Sequence, residues 1–164
     1  MTLVPLAVGF RCGVCGTFVD IATAFPWRCP AATPDDPYHV LHIVEVESPS
    51  APSPILDDPN PFVRFGPRLA WWRFARVNGL TDDDCIELTR SVADGCVVTP
   101  FERSELLSGE LGVELWVKDE TGNVAGSHKA RHLVSILLHL LAAERLGELP
   151  PLLLRLGVGF LLPG

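Results

Sequence analysis

The sequence predicts an α/β domain preceded by a small cysteine-bearing module, and three observations carry that prediction. A Cys12-Gly13-Val14-Cys15-Gly16 knuckle is followed, after thirteen residues, by Cys29. A stretch dense in proline and serine, residues 48–61, then interrupts the chain with a linker composition. Beyond it, helical and strand patterns alternate up to Gly147, which is the ordering of an α/β architecture. The expected organisation is a cysteine module over 1–47, a linker over 48–61, an α/β part over 62–149, and an atypical tail over 150–164.

In the first piece, Val40-Leu41-His42-Ile43-Val44-Glu45-Val46 alternates loosely and reads as a strand. After the linker, Leu69 to Val77 is apolar and aromatic and predicts a short helix. Thr81 is a good N-cap for a helix to about Val92, because Asp82, Asp83 and Asp84 would occupy the first turn, where the helix dipole favours acids. Val113 to Lys118 reads as a strand. Ser127 is the expected cap of a long helix, whose apolar positions Leu133, Ile136, Leu137, Leu140 and Leu141 recur at helical spacing before Gly147 stops it. Cys85, Cys96, Trp71 and Trp72 are expected in the core.

Composition narrows the range of partners. Of 164 residues, 48% are hydrophobic, which fits a chain with a packed core. The formal net charge of −7 offers no general attraction to phosphate backbones, so no nucleic-acid partner is expected. The apolar stretch 133–162 is broken by His139, Glu144, Arg145, Glu148, Pro150, Pro151 and Arg155, so no membrane span is expected either. Met1 to Leu6 is apolar without a basic start, unlike a secretory signal. Five cysteines, an odd number with two in a CxxC pair, predict a reducing, cytoplasmic setting.

The cysteines also predict chemistry. Two thiolates at CxxC spacing can share one metal ion, and tetrahedral zinc takes four nitrogen or sulfur ligands. Cys12, Cys15 and Cys29 supply three. The fourth would be His39 or His42, giving a Cys₃His site; the competing expectation is three thiols that bind no metal.

The second chemical signal is Lys129. The chain has only two lysines, Lys118 and Lys129, among thirteen Lys and Arg residues. A lysine kept in so arginine-rich a chain points to a task that guanidinium cannot do, such as attack by an unprotonated amine on a carbonyl. Lys129 lies at the expected mouth of a helix, behind a loop spaced by Gly122 and Gly126, where backbone N–H groups favour an anion and disfavour an ammonium. The preceding strand, expected to have a buried face, would place this loop at its carboxyl end.

Thr99-Pro100-Phe101, Leu115-Trp116-Val117-Lys118-Asp119-Glu120, Asn123 and Gly126-Ser127-His128-Lys129-Ala130-Arg131 together resemble the threonine synthase-like group of fold-type II pyridoxal-phosphate enzymes. The resemblance covers about residues 96–146. It implies that Lys129 is the Schiff-base lysine, with Ser127 and Asn123 at the cofactor. His128 and Ala130 depart from the aromatic and the acid usual at those places. The implied function is a lyase or synthase acting by elimination or replacement on an amino-acid substrate, and the resemblance admits a homodimer for the full-length protein. Some relatives of that group carry a similar cysteine ribbon, which favours structural zinc over redox chemistry. A non-catalytic zinc-ribbon binding protein is the alternative. No Ser-x-Gly-Asn loop follows Lys129, and residues 150–164 read like GC-rich DNA translated in a shifted frame. The chain is therefore expected to be an incomplete, N-terminal part that by itself binds the cofactor weakly.

Overall fold

The computed structural model describes residues 4–48 and 55–149. The expected tail over 150–164 and the middle of the expected linker lie outside the described residues. The fold is mixed α/β, with two small sheets beside a set of helices.

The N-terminal sheet has the order β2-β1-β3 and is antiparallel throughout. Its strands are β1 (Val4–Cys12), β2 (Phe18–Asp20) and β3 (Leu41–Ser48). Ala7, Cys12, Val19, Ile21 and Cys29 are buried in this module. The register between β1 and β3 shifts between Ala7 and Gly9, which bends the long central strand.

The end of the expected linker is structured. Asn60 caps α1 (Pro61–Arg64), accepting the Phe62 N–H at 2.8 Å, and Pro61 takes the first helical position, where its missing N–H costs nothing. Proline density there starts a helix instead of preventing one. α2 (Ala70–Val77) buries Trp71, Trp72, Phe74 and Ala75. α3 (Asp82–Val92) begins at Thr81 with a reciprocal capping box to Asp84, as its sequence predicts.

β4 (Phe101–Arg103) and β5 (Trp116–Lys118) pair antiparallel around α4 (Glu105–Leu111). The expected buried face of the second strand is absent: every residue of both strands is exposed, because nothing among the described residues covers this hairpin. The chain then turns through Val124–Gly126 into α5 (Lys129–Arg145). Gly147, at φ +80°, supplies the left-handed backbone that ends it.

The principal core lies where α5 crosses α2 and α3. Phe62, Trp71, Trp72, Phe74, Leu88 and Leu138 anchor it, with Cys85 and Cys96 buried among them. The N-terminal module docks on this body with β1 against α2, with Asn78 Nδ2 donating to the Ala22 carbonyl at 3.1 Å, and with His139 of α5. Its Nε2 lies 2.6 Å from the Ala24 carbonyl, and its ring stacks on Phe74 and meets the edge of Trp27. No helix among the described residues is long and apolar enough to cross a membrane.

Candidate functional site

The candidate site residues fall into two groups of side chains in different parts of the fold. The first is the cysteine cluster. Cys12 ends β1, Cys15 lies in the turn to β2, and Cys29 and His39 come from the long segment between β2 and β3. The turn closes through the Cys12 carbonyl accepting the Gly16 N–H at 3.0 Å. Ligand atoms of Cys12, Cys15, Cys29 and His39 all lie within 4.8 Å of one another. Cys12 Sγ is 3.4 Å from His39 Nδ1, and Cys15 Sγ is 3.6 Å from Cys29 Sγ. Ligands of one tetrahedral zinc with sulfur at about 2.3 Å and nitrogen at about 2.0 Å stand roughly 3.5–3.8 Å apart. The group can therefore hold a metal ion such as zinc.

His39 is the histidine in the cluster. The alternative, His42, lies on β3, where its ring packs over Gly13; a side-chain carbon at Gly13 would stand 2.9 Å from His42 Nε2. The sequence spacing did not separate the two histidines. Their positions around the start of β3 do.

The surroundings favour a cation. His39 Nε2 lies 3.1 Å from an Asp36 carboxylate oxygen, which leaves Nδ1 facing the sulfurs, an arrangement common around metal-bound histidines. Asp36 raises the His39 pKa to about 9, with the nearby thiols adding to the effect. A proton held at Nδ1 occupies the place that a metal ion would take. The Thr17 hydroxyl, 3.1 Å from Cys15 Sγ, holds that thiol down to about 6. Peptide N–H groups of Cys15 and Val14 lower the Cys12 pKa, whereas burial raises that of Cys29. Asp36 and Thr17 were not singled out from sequence. Neither spacing carries a periodic signal, although Asp36 stands three residues before His39.

The second group surrounds the loop 119–128. Thr99, Glu120, Asn123 and Arg131 share one hydrogen-bonded network. Arg131 Nε donates to Glu120 Oε2 at 2.8 Å, and its Nη2 donates to the Thr99 hydroxyl at 3.1 Å and the Val97 carbonyl at 3.0 Å. The Thr99 hydroxyl donates to Glu120 Oε1 at 2.6 Å, and Asn123 Nδ2 donates to Glu120 Oε2 at 3.1 Å. Lys118 Nζ donates to the Thr99 carbonyl. Arg131, followed by Thr99, holds the Glu120 carboxyl down to about 2.

Lys129 opens α5 and is exposed. Ser127 is not the cap: the N-cap is His128, already helical in backbone, and Ser127 is extended. The tight turn before it, with Ala125 at φ +55° and Gly126 at φ +56°, delays the helix by one residue. Ser127 Oγ still accepts the Lys129 N–H at 3.2 Å. Asn123 is buried, and its Oδ1 has no partner among the described residues.

Neither family models, curated proteins nor solved structures match this chain.

Proposed function

We propose that this chain is part of a pyridoxal-phosphate-dependent amino-acid lyase or synthase, with Lys129 as the cofactor-holding lysine and a structural zinc in the Cys12, Cys15, Cys29 and His39 ribbon. The observation that supports the reading is the meeting of Thr99, Glu120, Asn123 and Arg131, one from each of the four stretches that carry the resemblance, in one network that includes Arg131, two residues after Lys129.

The residues present fit the cofactor in two respects. The Lys129 amine belongs to an exposed side chain in the first turn of α5, reachable by an aldehyde. The unpartnered Asn123 Oδ1 in the same loop leaves hydrogen-bonding capacity unused. When bound, the cofactor supplies an electron sink for charge developing at the substrate Cα. Lys129 Nζ would hold the cofactor and, once freed by the substrate amine, take the Cα proton. Arg131 and Glu120 position the backbone that carries Lys129. The zinc would fix the ribbon, with the chemistry elsewhere.

The alternative, a non-catalytic zinc-ribbon binding protein, is favoured by the exposure of Lys129. One experiment separates the two. The chain is incubated with pyridoxal phosphate, reduced with borohydride and mapped by mass spectrometry. A dominant adduct on Lys129 supports the enzyme reading. Equal labelling of Lys118, Lys129 and the α-amino group, or none, removes it for this chain.

A further inference from the structure

A cavity of about 670 Å³ opens between the N-terminal module and the helical body, and its lining reaches His132, one turn of α5 beyond Lys129. That volume is within the usual range of small-molecule sites, which occur preferentially where two structural units meet. Phe10, Trp27, Leu41, Leu69, Trp71 and Ile136 give it aromatic and aliphatic walls.

Its polar groups are selective in kind. The lining contains imidazoles and one hydroxyl, with no carboxylate, lysine or arginine. A cationic ligand would find no counter-charge there, whereas an anionic one finds N–H donors. His39 is committed to Asp36 and Cys12, and His139 Nε2 to the Ala24 carbonyl. His132 makes no hydrogen bond or ion pair among the described residues, and it is exposed.

Helix geometry orders these groups. His132, Ser135, Ile136 and His139 fall at i, i+3, i+4 and i+7 on one stripe of α5, about 10 Å long. His132 stands at the exposed end. At the other end His139, only 5% exposed, meets the Trp27 ring at 4.9 Å. The floor therefore runs from a free imidazole at the mouth to the buried ring of His139, with the half-exposed Trp27 against its edge.

We propose that this cavity binds a small arylalkanoic acid, its ring set among Trp27, Trp71 and Phe10 and its carboxylate receiving the His132 N–H. The site is independent of the cofactor reading and of catalysis by Lys129.

The test is calorimetric titration of the full, zinc-loaded chain with 3-phenylpropionate and, separately, with 3-phenylpropanol. The acid is expected to bind saturably and more tightly than the alcohol. His132→Ala should weaken the acid about tenfold or more, as loss of one charge-assisted hydrogen bond implies, and leave the alcohol nearly unchanged. Ser135→Leu, which places a bulkier residue of good helix propensity on the same stripe, should obstruct both ligands. Far-UV circular dichroism verifies that each variant is folded. No binding of the acid to the folded wild type, or equal affinity of wild type and Ser135→Leu, overturns the site. Equal weakening of acid and alcohol by His132→Ala overturns the assigned role of the carboxylate.

Discussion

Glu120 and Arg131 meet at 2.8 Å across eleven residues of chain, joining the end of the β4–β5 hairpin to the first turn of α5. Thr99 closes the triangle with bonds to both. The glutamate pKa is depressed from about 4.5 to about 2, so its pairing contributes fully above the ordinary glutamate range and is lost as pH falls toward 2. Glu120→Gln should lower the thermal midpoint at neutral pH, with the difference from wild type shrinking below about pH 4. Thermal melts of both proteins between pH 2 and 7 check this; a constant difference across that range would show that the carboxylate charge is irrelevant.

The ribbon cluster makes a stoichiometric prediction. Cobalt(II) added to the reduced chain should give one tetrahedral, thiolate-ligated ion per molecule, visible as d–d bands and sulfur-to-metal charge transfer. Cys12→Ser and Cys29→Ser should each abolish that spectrum or weaken binding by orders of magnitude, while Cys85→Ser should leave it intact because Cys85 is buried in the helical core. An unaltered spectrum in Cys29→Ser would exclude the proposed ligand set. Asp36→Asn should lower affinity about 10–100-fold through the orientation of His39.

His139 links the two halves of the molecule. His139→Ala removes the bond to Ala24 and the contacts with Phe74 and Trp27, and should destabilise the chain by about 2–4 kcal/mol. Burial lowers the His139 pKa from its ordinary 6.5. Its contribution is therefore complete above that value and is lost as pH falls through the depressed one. Urea titrations at pH 7.5 and pH 5 should show a larger loss of stability on acidification for wild type than for His139→Ala.

Helix α3 gives a local control. Thr81 accepts the Asp84 N–H while Asp84 accepts the Thr81 N–H at 2.7 Å. Thr81→Ala should cost about 1 kcal/mol in equilibrium unfolding and leave metal binding unchanged. A loss of cobalt affinity in this variant would mean that the two halves are coupled more tightly than their contacts indicate.

The elements that announce themselves in the sequence are those with both a period and a cap. Thr81 with three following aspartates marks the start of α3, and the stripe from Leu133 to Leu141 with Gly147 marks α5. β1 was missed because Val4 to Cys12 mixes proline, glycine and apolar residues without alternation, and it becomes a strand only through pairing on both sides. β2 and β4 are too short to carry a pattern, and α4 has Ser108 and Gly109 in its middle. At the sites, the three clustered cysteines are legible from spacing. His139 was read only as an interruption of an apolar run, since its partner Ala24 is 115 residues away and no local pattern records such a contact.

That separation has a temporal meaning during synthesis. A ribosome adding 5–20 residues per second needs roughly 6–23 s to travel from Ala24 to His139. Cys12 and Cys15 have been made before that interval opens, and Cys29 and His39 follow early in it. If the cluster takes a metal ion, the nascent N-terminal module could bind it while the helix that will receive the module is still unmade. In that case metal capture would precede docking, and without the ion the emerging α5 would meet a less ordered surface on which to close.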